Sequence, residues 1–219
     1  QLLTVDSSPR GTARRSAGLR RKRNERRHQF AGRAMKRGGE AAAAHAKSRN
    51  ALPNAKSVLA AARAAGLPVI HVQYVVERGA TGLKLNTGLF QAVKDVKGLV
   101  RGTWGAAPVK GFEPRRGELV VEKMRMNAFH GTNLAVLLDG LGADTIVAMG
   151  GWTNLSVEHT CRHAADAGFR QVVVTDATWT LSEEWQQAAM DYALSMVAEQ
   201  ATAAEVVAAL RRRTRPKRS

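Results

Sequence analysis

A chain of 219 residues, 44% of them hydrophobic, can fill one sizeable core but is too short for two large domains. No run approaches the roughly 18 apolar residues of a membrane span, and the single cysteine, Cys161, excludes an intramolecular disulfide framework or a Cys-based zinc site. The formal charge of +16 would suggest a nucleic-acid partner, yet residues 51–210 hold 14 Lys/Arg against 15 Asp/Glu, so the charge belongs to the two ends.

Residues 1–50 carry 14 Lys/Arg against 3 Asp/Glu, and residues 211–219 carry 6 against none. The stretch from Arg10 to Arg37 lacks interleaved aromatics, metal-ligand spacing and a helical stripe. It reads as a solvated basic arm, residues 7–50 forming an atypical Arg-rich segment, and no nucleic-acid partner is expected. An off-frame translation of GC-rich DNA would leave the same composition. Gln1 in place of an initiating Met reads as a trimmed or partial chain. Arg211–Ser219 reads as a basic tail behind one domain over 1–210, and the whole as a soluble, cytoplasmic protein.

From residue 51 the chain alternates helical and extended segments. Asn54 caps a helix through Ala65, and the strand Val69–Val76 follows Pro68. Glu77–Arg116 is Gly-rich and weakly periodic, with a short helix near Leu89–Val96; so long a loop points to a functional excursion. Leu119–Glu122 is a strand, and Thr132 caps a helix over Asn133–Leu141 with leucines on one face. After the strand Thr145–Met149, Gly150 and Gly151 make a tight turn into a helix through Ala167. Gln171–Thr175 is a strand. Thr180 with Glu183 and Thr202 with Glu205 have capping-box spacing before two helices, with a short strand near Met196–Glu199 between them. Apolar strands alternating with helices predict an α/β fold: a doubly wound, mainly parallel sheet with helices on both faces. Ligands of such sheets bind beyond the carboxyl ends of the strands. Neither GxGxxG nor GxxxxGK(S/T) follows any strand, which argues against a nucleotide cofactor.

Two strand ends carry candidate chemistry. Lys123 ends one apolar strand; as an isolated feature it would be a snorkelling surface lysine. Ser156 follows Gly150-Gly151 at a helix start, where outward N–H groups favour an oxyanion, or else simply satisfy a capping serine.

Together these segments resemble the isochorismatase-like cysteine hydrolase superfamily, in its amidohydrolase branch. The resemblance runs from about Asn54 to Leu210. It is carried by Lys123…Ala128-Phe129-x-Gly131-Thr132-x-Leu134, Gly150-x-x-Thr153-Asn154-x-x-Val157-Glu158-x-Thr160, Ala164-x-Asp166-x-Gly168-Phe169 and Val174-x-Asp176-Ala177. It implies a three-layer α/β/α fold and an Asp–Lys–Cys triad that attacks small-molecule C–N bonds. The matching lysine is Lys123, and the aspartate is Asp6, after Leu2-Leu3-Thr4-Val5, although Ser7-Ser8-Pro9 departs from the family's continuation. The cysteine position falls on Ser156. Cys161 is no substitute, because five helical residues rotate it about 140° and advance it about 7.5 Å; it reads as a core thiol.

The resemblance further implies a cis peptide at Gly151–Trp152 and an oxyanion hole from the N–H groups of Trp152 and Ser156. Trp152 and Asn154 of the same turn, with Phe129, His130 and Trp179 near strand ends, are the expected pocket residues. The resemblance also implies a homo-oligomer, dimer or tetramer, whose contacts the loop Glu77–Arg116 could supply. No Asp-x-His pair occurs, so no metal and no cofactor are expected, and His71 reads as a hydrogen-bonded core histidine. The expected activity is amide or other C–N hydrolysis of a small-molecule substrate. The alternatives are vinyl-ether hydrolysis of the isochorismatase type, and a catalytically impaired binding protein on the same fold.

Overall fold

The computed structural model describes residues 39–214. Asp6, the arm over 7–38 and most of the basic tail lie outside the described residues.

Two helices open the described chain: α1 over 39–48 and α2 over Ala51–Ala64, separated by Asn50 with φ 53°. Asparagine tolerates this left-handed conformation better than most residues, so the chain breaks one helix and starts another without a glycine. Helix α2 begins three residues before the expected Asn54, because Pro53 sits in the first turn, where no intrahelical donor is needed. Asn54 instead sends its amide to the Asp176 carbonyl, 3.0 Å. The basic segment therefore does not remain an arm to residue 50. Its last ten residues fold and dock.

Strand β1 (Ile70–Tyr74) pairs in parallel with β2 (Leu119–Lys123), in a register that sets Tyr74 beside Lys123. Between them the long loop contains α3 (Gly88–Val96), capped by Thr87, whose hydroxyl accepts from the Phe90 N–H, and single 3-10 turns at Arg78–Ala80 and Trp104–Ala106. Helix α4 (Leu134–Gly140) follows β2, and the Thr132 hydroxyl accepts from the Leu134 N–H.

A second parallel ladder joins β3 (Thr145–Gly151), β4 (Arg170–Trp179) and β5 (Glu199–Ala201) in that order. Helices α5 (Glu158–Asp166) and α6 (Glu183–Ala188) flank β4 in sequence, and α7 (Ala203–Thr214) ends the described chain. In α7 the Thr202–Glu205 capping box forms as expected: Glu205 accepts from the Thr202 N–H at 2.7 Å, and the Thr202 hydroxyl accepts from the Glu205 N–H at 3.3 Å. The Thr180–Glu183 pair does not form one. Ser182 caps α6, and Thr180 and Glu183 turn to other partners.

Successive strand residues point to opposite faces, and β4 uses both. Val174 packs with Ala55 and Val58 of α2 and Ala203 and Val206 of α7. Val173 packs on the other side with Val157, Cys161, Met190 and Leu194. A third cluster, containing Val121, Leu134, Leu138, Ile146 and Ala164, ties β2 to β3. This is the parallel α/β architecture with helices on both faces.

The entry edge of β1 and β2 is fixed by charge. Glu118 accepts from Arg63 Nε and Nη2 at 2.7 and 2.9 Å and meets His71 Nε2 at 2.8 Å. The Arg63 guanidinium foremost, then the Arg115 N–H and His71, hold the Glu118 carboxyl well below the usual carboxylate range despite its burial. Replacing Glu118 by Ala strands a guanidinium in a nearly closed site, and a loss of about 3 kcal/mol is expected, read as a fall in the urea midpoint at pH 7. The loss should be full above the ordinary carboxylate range and shrink as pH falls from there toward the lowered Glu118 pKa.

Candidate active site

Lys123 ends β2 on the same face as Val121, so the alternation that buries the valine buries the amine as well; Lys123 is 2% exposed. Its Nζ donates to the Met126 carbonyl and, at 2.8 Å, to the hydroxyl of Ser156, itself 5% exposed. The Tyr74 ring lies 5.6 Å from Nζ, and the Tyr74 hydroxyl donates to the Met124 carbonyl at 2.7 Å. Burial pushes the Lys123 ammonium from its usual value near 10.5 down to about 7. The carbonyl, hydroxyl and ring around it stabilise the cation too weakly to offset its lost hydration.

Ser156 reaches this place by a route that differs from the expected tight turn. Gly150 and Gly151 continue β3, pairing with Thr178 and Trp179 after a register shift that follows Ala148. The Gly151–Trp152 peptide is cis. A single π-helical turn, Thr153–Val157, then carries Ser156 before α5 begins at Glu158. The glycine at 151 has a steric reason: a Cβ there would lie 2.6 Å from Nε1 of Trp179. Trp179 thus closes over the end of β3.

Two polar brackets hold the π turn. In the first, the fully buried Thr153 hydroxyl donates to Gln186 Oε1 at 2.6 Å, and Gln186 Nε2 donates to the Thr178 hydroxyl at 3.0 Å. In the second, the Thr180 hydroxyl donates to Asn154 Oδ1, and the Thr180 N–H donates to Nδ1 of His45 in α1 at 3.2 Å. Gln186, Thr180 and His45 were not legible as site residues; only their polarity at buried positions marks them, and burial is invisible without the fold.

The other expected pocket residues divide. Trp152, Asn154 and Trp179 are half-buried around the strand ends, and His130 is exposed. Phe129 is buried against His163 at 4.9 Å between ring centres and Phe169 at 6.3 Å, as part of the β2–β3 core. Asn127 was missed; it is buried, and its Oδ1 accepts from the Phe129 N–H at 2.8 Å, shaping the loop after Lys123. Cys161 is fully buried, and burial pushes its thiol up to about 12. His71 bonds Glu118, and among the described residues no group of three His, Cys, Asp or Glu could hold a metal ion. Among them, too, no helix is long and apolar enough to cross a membrane.

A buried lysine and a buried hydroxyl thus meet beyond the carboxyl ends of two parallel strands, the place where ligands of such α/β folds bind. Comparison with known proteins gives the family. An isochorismatase domain matches residues 27–205, and the chain belongs to that family. It is 32% identical over 160 residues to the ureidoacrylate amidohydrolase RutB of Rhizobium rhizogenes, covering 67% of this chain and 65% of that protein. It is also 32% identical over 123 residues to the N-carbamoylsarcosine amidase of an Arthrobacter species, covering 56% of this chain and 47% of the amidase. The chain thus spans about two thirds of the first relative and about half of the second. Among solved structures, an isochorismatase family protein from Desulfovibrio vulgaris superposes with a TM-score of 0.67 at 27% identity, over 74% of this chain and 85% of that one.

A thiol held near 12 and closed off from solvent is inert to alkylation. Iodoacetamide at pH 8 should leave Cys161 unmodified in the folded protein and label it fully in urea, as read by intact mass.

Proposed function

We propose that this protein hydrolyses a C–N bond of a small amide, with Ser156 as nucleophile beside Lys123. The observation that carries the reading is the 2.8 Å contact between Lys123 Nζ and Ser156 Oγ at the buried end of β2. The relatives named for ureidoacrylate and N-carbamoylsarcosine support an amide, and a carbamoyl group is the substrate chemistry to try first.

A serine hydroxyl needs a base during attack, where a cysteine needs only a cation to hold its thiolate. With its pKa brought to about 7, Lys123 is partly neutral at neutral pH. In the ammonium form Nζ donates to Oγ; in the neutral form the hydroxyl donates to Nζ across the same distance. Ser156 Oγ then attacks the carbonyl carbon as its proton passes to Nζ. The C–N bond breaks as that proton moves to the leaving nitrogen, which departs as amine or ammonia. Water hydrolyses the acyl-serine by the reverse transfers, giving a proton to Nζ, which returns one to Oγ. Asp6 keeps the general acid/base role that the family resemblance implies; in contact with Lys123 its charge would favour the ammonium and move the pH profile upward. The N–H groups of Trp152 and Ser156 are assigned to the developing oxyanion. Trp152, Asn154, Trp179 and His130 are assigned to the substrate pocket. The proposal includes a single domain over 1–210 that acts without a cofactor, as a homo-oligomer in the cytoplasm.

The test is a panel of small amides that includes ureidoacrylate and N-carbamoylsarcosine. Ser156→Cys should raise turnover at least about tenfold, or about 1.4 kcal/mol of barrier. Lys123→Ala should abolish both the parent activity and that gain, and Asp6→Asn should lower it. If Ser156→Cys folds, labels no faster than Cys161 and hydrolyses nothing, the amidase reading is wrong.

The pH profile is a separate check. The base form of Lys123 accumulates as pH rises through about 7, so kcat/KM of the serine enzyme should climb to a plateau across that value. A flat profile from pH 5.5 to 8.5 would remove Lys123 as the proton acceptor.

A further inference from the structure

The second bracket on the π turn begins far away in the chain. His45 belongs to α1, inside the segment whose composition suggested a solvated arm, yet it is buried. Its ring touches two partners. Nδ1 faces the Thr180 backbone N–H at 3.2 Å, and Nε2 faces Glu183 Oε2 at 3.1 Å. A backbone N–H can only donate, so Nδ1 must be bare, and Nε2 then carries the proton and donates to the carboxylate. The contact geometry selects one neutral tautomer of the two.

What this tautomer holds is the end of β4. Thr180 follows Trp179, whose indole lies against Gly151, and the Thr180 hydroxyl donates to Asn154, two residues before Ser156. The charged groups facing His45 are Glu183, at the start of α6, and Arg49, just after α1. Arg49 binds both oxygens of Glu183, at 2.7 and 2.6 Å, and the Thr175 carbonyl at 2.9 Å. The Arg49 guanidinium, followed by His45, holds the Glu183 carboxyl below its usual range. The carboxylate therefore stays charged and keeps Nε2–H oriented.

We propose that His45 is a positioning residue of the nucleophile loop: with Nδ1 unprotonated it fixes Thr180, and through Thr180 and Asn154 it holds the turn that presents Ser156 to Lys123. A second proton on the ring would set Nδ1–H against the Thr180 N–H. The bracket therefore depends on an unprotonated acceptor at this position of residue 45. Asparagine at 45 would offer Oδ1 where Nδ1 stands and could not take up a proton.

The test uses two readouts that need no substrate, so it stands apart from the amidase reading on which the role of Ser156 rests. The first is hydrogen exchange at the Thr180 amide in the full chain at pH 8, corrected for intrinsic exchange rates. The second is the rate of iodoacetamide labelling at position 156 in a Ser156→Cys background at pH 8. The parent should protect Thr180. His45→Asn, which keeps an acceptor at this place, should keep that protection and label within about twofold of the His45 protein. His45→Ala should lose at least tenfold of the protection and label at least fivefold more slowly. If His45→Ala does not fold, Thr180→Val, which keeps the N–H and removes the hydroxyl bond to Asn154, should keep the protection and slow labelling at least fivefold. Equal protection in the parent and His45→Ala, loss of protection in His45→Asn, or unchanged labelling in Thr180→Val would overturn the proposal. If the amide panel stays unhydrolysed while these differences appear, the amidase reading fails and the positioning role survives.

Discussion

A lysine amine buried at the end of a strand has given up its water, and everything around the site follows from how that loss is met. Lys123 is placed by the two-residue period of β2, which buries Val121 and the amine on one face and leaves Glu122 to pair with Arg101 outside. Its two polar partners come from different ladders: Met126 from the loop after β2, and Ser156 from the turn after β3. The β2–β3 core, with Val121, Leu134 and Ile146, brings those ladders together. Without that apolar contact the amine would meet water, its pKa would return toward the ordinary lysine value, and the hydroxyl would have no neutral amine beside it.

The turn that delivers Ser156 is irregular, and a single π-helical turn has little strength of its own. Its polar side chains are instead tied outward to α1, β4 and α6, through Thr153–Gln186–Thr178 and Asn154–Thr180–His45. Each buried donor in these chains meets an acceptor, so the network specifies one arrangement of the loop. Glycine at 151 belongs to the same design, since any side chain there would collide with the Trp179 indole.

The sequence made much of this legible, and the exceptions have identifiable causes. Strand and helix order from residue 51 could be read from apolar periodicity, and Lys123 and Ser156 from motif spacing; the fold brings these two together. The Thr202–Glu205 box formed because both residues are exposed and have no competing partner. The identical spacing at Thr180–Glu183 failed because longer-range partners, Asn154 for the hydroxyl and Arg49 with His45 for the carboxylate, outcompete a local cap. Phe129 stands near a strand end, and its ring packs into the β2–β3 core, a direction that its place in the sequence does not show. Helix α1 was hidden by charge. Its own residues include Ala41–Ala44 and Ala46, a good helix stretch, yet the arginines before it dominated the average.

That hidden helix changes how the serine can be understood. A thiolate beside a cation is a nucleophile over a broad range of loop positions, because its charge is already formed. A hydroxyl must lose its proton during attack, so its oxygen has to stay within hydrogen-bond distance of the base while the carbon approaches. Replacing sulfur by oxygen therefore raises the demand on loop geometry. The bracket from α1 meets that demand at a point close to the nucleophile, through a backbone N–H and a hydroxyl and not through side-chain packing alone. A site with serine as its nucleophile would depend more on its supports than one with cysteine, and on the proposed reading residues as distant in sequence as His45 and Arg49 position the loop without touching the reacting atoms.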